Sequence, residues 1–166
     1  DGSGWSDVSS VITQTWFDIW ALGDGSAVIV GDLGLIIQGN GEQWSEMYHP
    51  MGQEPIETIW GRSADDLYAA GNGFILHYDG NEDRTWTLHA STVELANWRG
   101  VCGSGPDNVM IVGATGKVIS WNGKTWGRVP VEPKTEATAD APTEYYTEQL
   151  HGCWTIDEDT AWAVGE

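Results

Sequence analysis

The residues able to carry chemistry are few and scattered. Four histidines, His49, His77, His89 and His151, show no HxH or HxxxH spacing, so no local turn or helix face brings two imidazoles to one metal ion. Cys102 and Cys153 are the two cysteines. They fall short of a four-thiolate metal site and neither stands in a CxxC pair, which leaves a disulfide or two buried thiols. Carboxylates gather at Asp65-Asp66 and at Asp157-Glu158-Asp159, oxygen donors of the kind that suit Ca2+. Their spacing matches no calcium loop, and Asp at a turn commonly accepts hydrogen bonds from its own backbone, the role expected here. No catalytic residue, cofactor or metal ligand is therefore assigned, and Ca2+ is the ion that these oxygen donors would suit.

Composition narrows the partners. The 166 residues include 22 Gly and 11 Trp but only 7 Lys plus Arg, with a formal net charge of -18. Many glycines and large aromatics suit tight turns between short packed strands, an all-β composition. The acidic field disfavours phosphate backbones and anionic lipid surfaces, so nucleic acid is not an expected partner. No stretch approaches the ~20 apolar residues of a membrane span, and membrane insertion is not expected. Asp1 to Asp7 lacks the basic start and hydrophobic run of a signal peptide, so the leader of a secreted protein would be removed or lie outside this chain.

The elements that must position these residues are announced by an internal repeat. One copy runs from Ile19-Trp20-Ala21 through Ala27-Val28-Ile29-Val30-Gly31 and Gly34-Leu35-Ile36-Ile37 to Asn40-Gly41-Glu42-Gln43-Trp44. A second runs from Ile59-Trp60-Gly61 to Trp86, a third from Val101-Cys102-Gly103 to Trp126, and a fourth begins at Cys153-Trp154-Thr155. The glycines closing the second segment stand at 31, 71, 113 and 165, successive distances of 40, 42 and 52 residues. A period of this length marks propellers or solenoids. Each copy reads as a four-stranded antiparallel meander whose last hairpin carries Asn-Gly or Asp-Gly. The expected fold is an all-β propeller of about four blades, part of a larger ring, because a sheet with two apolar faces is shielded only by its neighbours. Repeat boundaries fall at residues 1–15 (the end of a blade), 16–56, 57–97, 98–129 and 150–166 (the start of a blade), with 130–149 an inserted exposed loop. Trp20, Trp60 and Trp154 share one first-strand position and are expected to pack between blades.

The segments 59–71 and 73–80 resemble the repeats of secreted bacterial propeller proteins of the lipoprotein type. They are more distantly similar to photosystem II stability-factor-like propellers and to the Asp-box (BNR) repeats of sialidases. Against the Asp-box pattern Ser-x-Asp-x-Gly-x-Thr-Trp, the segment Ser120-Trp121-Asn122-Gly123-Lys124-Thr125-Trp126 is one residue shorter and has Asn for Asp. Asp boxes are turn elements remote from the sialidase catalytic centre, so the resemblance implies architecture and not chemistry.

A chain starting inside one blade and stopping inside another suggests how the ring closes. The C-terminus supplies two strands, the N-terminal Asp1 to Trp5 a last hairpin and strand, and roughly six to eight residues of a third strand are missing, as if a longer parent continued. Alternatives are a four-bladed ring with one thin blade, or self-association until the circle closes. Cys102 and Cys153 lie at adjacent first-strand positions of neighbouring blades, where an interblade disulfide is geometrically reasonable and would imply an oxidising compartment, extracellular, periplasmic or at the cell surface.

The rim formed by loops entering each first strand collects the variable segments 46–57, 88–98 and 130–149. The last is a 12-residue insertion relative to its counterparts. Tyr145, Tyr146 and Trp98 are the candidate ligand contacts, since aromatics offer a flat apolar face to a sugar or peptide at small entropy cost. Three functions follow: a non-catalytic binding or scaffolding propeller for a glycan, peptide or protein; a structural subunit whose partners are further blades or companion chains; and a sialidase-like hydrolase. The last needs converging arginines, whereas Arg62, Arg84, Arg99 and Arg128 fall at repeat positions that do not converge.

Overall fold

Short β-branched runs interrupted by Gly and Asx turns leave room only for short antiparallel strands. The computed structural model describes residues 14–90, 96–131 and 148–166, and these contain fourteen strands. The first sheet is β1 (Trp16–Ala21), β2 (Ala27–Gly31), β3 (Ile36–Gly39) and β4 (Trp44–Glu46). The second is β5 (Ile56–Ser63), β6 (Asp66–Gly71), β7 (Phe74–Tyr78) and β8 (Thr87–Ala90). The third is β9 (Trp98–Gly105), β10 (Asn108–Gly113), β11 (Val118–Trp121) and β12 (Trp126–Arg128). A last pair, β13 (Leu150–Thr155) and β14 (Ala161–Gly165), forms a two-stranded sheet. Within each sheet the strands follow chain order, an up-and-down meander. The expected blade end at residues 1–13 and residues 132–147 of the insertion lie outside the described residues.

The hairpins show why the Asx-Gly pairs recur. Asn40 Oδ1 accepts from the amides of Glu42 and Gln43 at 3.1 Å each, and Asn122 Oδ1 accepts from Lys124 at 3.0 Å and Thr125 at 2.9 Å. Gly41 and Gly123 follow at φ of 92° and 82°, where a side chain is disfavoured. The longer second hairpin delegates the turn to Asn81, whose Oδ1 accepts from Thr85 N at 2.9 Å. Its extra residues carry Arg84 back to the first sheet, where Nη2 donates to Gln38 Oε1 at 2.9 Å and Nη1 to Ser45 Oγ at 3.0 Å.

The repeated glycine at the end of each second strand has a different cause. Gly31, Gly71, Gly113 and Gly165 pair with Trp16, Ile56, Trp98 and Leu150, the residues that open the first strands. A methyl group on any of them would overlap the incoming backbone, against the carbonyl oxygens of Thr15, Pro55, Asn97 and Gln149 respectively. Backbone oxygen cannot swing aside as a side chain can, so close approach fixes these four positions.

Immediately after that pair, every first strand carries a bulge: the register slips between Trp16 and Asp18, Ile56 and Thr58, Trp98 and Gly100, and Leu150 and Gly152. The first strands lie side by side, β1 against β5, β5 against β9 and β9 against β13. Two large cores fill the junctions. Val28, Val30 and Ile36 of the first sheet meet Ile59, Leu67, Phe74, Leu76 and Trp86 of the second; Tyr68, Ala70 and Ile75 of the second meet Trp98, Val101, Ile111 and Ile119 of the third.

Polar and covalent latches reinforce each junction. Asp18 Oδ2 accepts from Thr58 Oγ1 at 3.0 Å and from Ile59 N at 2.9 Å, and buried Thr58 Oγ1 in turn accepts from Val101 N at 3.2 Å. In the third sheet the position of Asp18 and Thr58 is Gly100, which offers no side chain, and the Cys102–Cys153 disulfide joins the third and fourth units instead, with Cα atoms 5.8 Å apart.

Three stability outcomes follow from these contacts. Gly71→Ala lowers stability by about 1–3 kcal/mol, seen as a fall in the urea midpoint at unchanged slope. Gly105→Ala, with nothing within 4 Å of the added carbon, stays within about 0.5 kcal/mol of the parent. Replacing Cys102 and Cys153 by Ser costs about 4 kcal/mol, the loop-closure entropy of a 51-residue separation. Unreduced protein takes up no alkylating reagent while folded; reaction of both thiols would contradict the bond.

Candidate functional site

The bulges decide what faces the axis. An extra residue in one strand re-aims its side chain, and here the extra residues are Phe17, Glu57, Arg99 and His151, one from each unit. All four line a cleft of about 390 Å3 bounded by the first strands β1, β5, β9 and β13. Arg99 Nη1 stands 3.5 Å from Glu57 Oε2, and His151 Nε2 stands 3.8 Å from Glu166 Oε1. Asp18 also lines the cleft, with its carboxylate held by Thr58 and the Ile59 amide. Gly100 and Gly152 line it without side chains, and the bulged residues supply most of its charged groups alongside the apolar Ile19, Trp20, Ile59 and Trp60.

A groove of about 580 Å3 between the outer strands of the first two sheets is larger, lined by Gln38, Trp44, Tyr78 and Arg84 among others. Most of its polar side chains serve the fold, Arg84 binding Gln38 and Ser45 and Asn40 binding its own turn, while the Trp44 indole N–H is buried without a partner. The axial cleft, drawing one unlike side chain from each unit, is the better candidate.

The candidates singled out by sequence fall in different places. Trp98 is 1% exposed and packs in the core between the second and third sheets, so it has no face to offer a ligand. It opens β9 at the position of Trp16, Ile56 and Leu150, inside the strand and not on the loop before it. Tyr145 and Tyr146 lie outside the described residues. The acidic turns bond locally: Asp66 accepts from Arg62 Nε at 2.9 Å and meets His77 Nε2 at 2.8 Å, while Asp157 Oδ1 accepts from Asp159 N at 3.0 Å. Among the described residues no three His, Cys, Asp or Glu side chains are placed to hold a metal ion. The arginines occupy four separate places, Arg62 beside Asp66, Arg84 across the first junction, Arg99 in the cleft and Arg128 on β12. They assemble no carboxylate-binding cluster.

The radial order of the first strands decides the architecture. The fold is a β-propeller. Among solved structures the chain is similar to YCF48 from Cyanidioschyzon merolae, with a TM-score of 0.53 at 13% identity over 90% of this chain and 64% of that one. A second, "YCF48 bound to D1 peptide", matches at a TM-score of 0.47 and 14% identity over 99% of this chain and 67% of that one. The chain thus spans less than two thirds of the first YCF48 structure. YCF48 is a photosystem II stability-factor propeller, so the distant likeness expected from the repeats is present in the fold. No protein-family model matches the sequence, and no curated protein does.

A second polar cluster lies away from the cleft, between the second and third blades. Tyr68 stacks on His77 at 4.5 Å, His77 lies 5.3 Å from His89, and His89 packs edge-on against Trp121 at 4.5 Å. Burial, aided by Asp66 and Asp107, pushes the Tyr68 hydroxyl up to about 12. His89 Nδ1 accepts from Trp126 Nε1 at 2.9 Å, which fixes the neutral tautomer with the proton on Nε2. Burial first, and the neighbouring His77 second, hold His89 below the ordinary imidazole range. In the unfolded chain His89 takes up its proton near pH ~6.5, before the folded chain does. The stability His89 contributes is therefore present above that pH and is lost as pH falls from there toward the folded value. His89→Gln, which keeps an acceptor for Trp126, flattens the fall in stability below about pH 6.5 in urea titrations. A variant with the parent's slope there would contradict the assignment.

Proposed function

We propose that this chain is a non-catalytic binding propeller that takes a segment of a protein partner at the mouth of its axial cleft, in an extracytoplasmic setting. One observation carries the reading. The four units repeat their packing residues, glycines and turns, yet at the bulge they place an aromatic, a carboxylate, a guanidinium and an imidazole: Phe17, Glu57, Arg99 and His151. A scaffold that repeats while its axial side chains differ suits a ligand that is itself a sequence of unlike side chains, as a polypeptide is. A repeating glycan would be matched by repeating platforms.

The loops entering the first strands open on this same end, and the inserted segment 130–149 with Tyr145 and Tyr146 belongs to that set in sequence. The net charge of -18 favours a partner of opposite sign and speeds its encounter at low salt. The disulfide supports an oxidising compartment, in keeping with the secreted lipoprotein resemblance of the repeats. Catalysis has no support in the described groups. The Glu57–Arg99 pair neutralises itself, and among the described residues the close His–Asp pair, His77 with Asp66, shares its carboxylate with Arg62.

Selection from a random peptide library tests the reading. Peptides enriched on the parent protein bind Phe17→Ala and Arg99→Ala about 10-fold or more weakly, with unchanged near-ultraviolet circular dichroism, and added sodium chloride weakens binding of the basic ones. Equal affinity for both variants would move the site off the cleft. Retention on a glycan array with no enriched peptide would replace the polypeptide with a sugar.

A further inference from the structure

The second blade departs from the repeat in its last hairpin. Asp79 to Trp86 is three residues longer than Asn40 to Trp44 or Asn122 to Trp126, and the added residues include Arg84, at a φ of 53°. Among the described residues Leu33 and Thr115 are the other non-glycines in this left-handed region, and they share one repeated position, before Gly34 and Gly116. The conformation of Arg84 belongs to no repeat. Backbone held in so sparsely populated a region, outside the common pattern, is the kind of outlier that a functional contact sustains.

That backbone delivers a guanidinium without a counter-ion. The sequence has 25 Asp and Glu against 7 Lys and Arg, yet among the described residues half-buried Arg84 meets only the neutral acceptors Gln38 and Ser45. Arg62 and Arg99, by contrast, stand on Asp66 and Glu57. A guanidinium carries five N–H donors, and two are used here. Arg84 lines the groove of about 580 Å3 between the outer strands of the first two blades, together with Gln38, Asn40 and Gln43. Gln38 Oε1 and Asn40 Oδ1 are taken by Arg84 and by the turn amides, while the side-chain NH2 groups of Gln38, Asn40 and Gln43 bond nothing among the described residues. Asp24, Glu42, Asp79 and Asp83 are near in sequence, but none of them lines the groove. Asp24 and Asp79 accept from Ser26 and Asn81 of their own turns. The groove is therefore rich in unspent donors and free of lining carboxylates. Both its walls are complete four-stranded sheets joined through one core, so it is built within the chain whatever stands beyond either end.

We propose that this groove is a second binding site, separate from the axial cleft, and that its ligand is an acidic saccharide, a sugar ring bearing a carboxylate. The carboxylate takes the remaining N–H groups of Arg84, a charge-assisted contact supplying the counter-ion that the chain does not. Ring hydroxyl oxygens accept from the NH2 groups of Gln38, Asn40 and Gln43. A peptide segment is held through apolar pockets for its side chains, whereas this lining is mainly amide, hydroxyl and guanidinium. Among the described hairpins the longer one occurs once, so the site reads a single sugar unit and not a repeating chain.

Nuclear magnetic resonance titration of the intact oxidised protein with digalacturonate tests this. The Arg84 Nε–H and the side-chain amides of Gln38 and Gln43 shift on binding, and galactobiose, which lacks the carboxylates, binds about 10-fold or more weakly. Gln43→Glu sets a carboxylate at an exposed position of the groove without removing a side-chain bond of the fold, so Tm is unchanged. Its affinity for digalacturonate falls about 10-fold or more. Arg84→Gln also loses binding, and its Tm is read alongside because the side chain ties two blades together. Absence of any shift up to about 10 mM digalacturonate overturns the proposal. So does undiminished affinity in Gln43→Glu, or equal affinity for galactobiose. Tetraglutamate shifting these resonances where digalacturonate does not would overturn it too, and would assign the carboxylate to a protein partner.

Discussion

The bulge in each innermost strand is the constraint from which the rest of this structure follows. By adding one residue opposite Gly31, Gly71, Gly113 or Gly165, it turns the strand as it enters the sheet and presses the incoming chain against that glycine. The extra residue is aimed at the axis. The next one is aimed at the following blade, where Asp18 and Thr58 find the amides of Ile59 and Val101. One local irregularity therefore sets the cleft lining, the repeated glycine and the polar seam between blades.

The three junctions apply different chemistry to one geometric need. A carboxylate bonds the second blade to the first, and a buried hydroxyl bonds the third to the second. A disulfide joins the fourth to the third, where Gly100 provides no acceptor. Gly100 is itself imposed, because a Cβ there would stand 2.8 Å from the Gly152 Cα of the next strand. Closer approach of backbones thus excludes the side-chain latch and makes room for the covalent one. Apolar burial carries more of the energy: an indole such as Trp60 removes on the order of 150–250 Å2 from water, about 4–6 kcal/mol at ~25 cal/mol/Å2.

The blade pattern was legible because its causes are local. Asn40 and Asn122 fold their own turns, and the second-strand glycines mark a backbone contact that no other residue tolerates, so both repeat visibly along the chain. The bulges were not legible, since a register slip is a property of two paired strands and leaves no fixed residue type: Phe, Glu, Arg and His occupy it. Sequence spacing therefore gives no sign that Phe17, Glu57, Arg99 and His151 share one cleft, and it sets Trp98 at the end of a rim loop, one residue before the bulge, where the structure has it inside the strand. Spacing alone did place Cys102 and Cys153 side by side, because first strands of neighbouring blades align in register. The expected packing of Trp154 failed for a physical reason: the position packs forward, and among the described residues no blade stands in front of it.

The same forward direction separates packing from recognition. Residues one position past the bulge and beyond must satisfy a neighbouring blade, and their identities are coupled, Trp with Gly, Cys with Cys, Thr with Asp. The bulged residue lines the axial cleft, and apart from the Glu57–Arg99 and His151–Glu166 ion pairs its identity is less constrained by the neighbouring blade than that of the packing residues. In a fold whose units are otherwise held to a common pattern by contact, a position that is less constrained in this sense and turned toward a shared cavity is where selectivity is added at least cost to stability. Phe17, Glu57, Arg99 and His151 are four such positions around one axis.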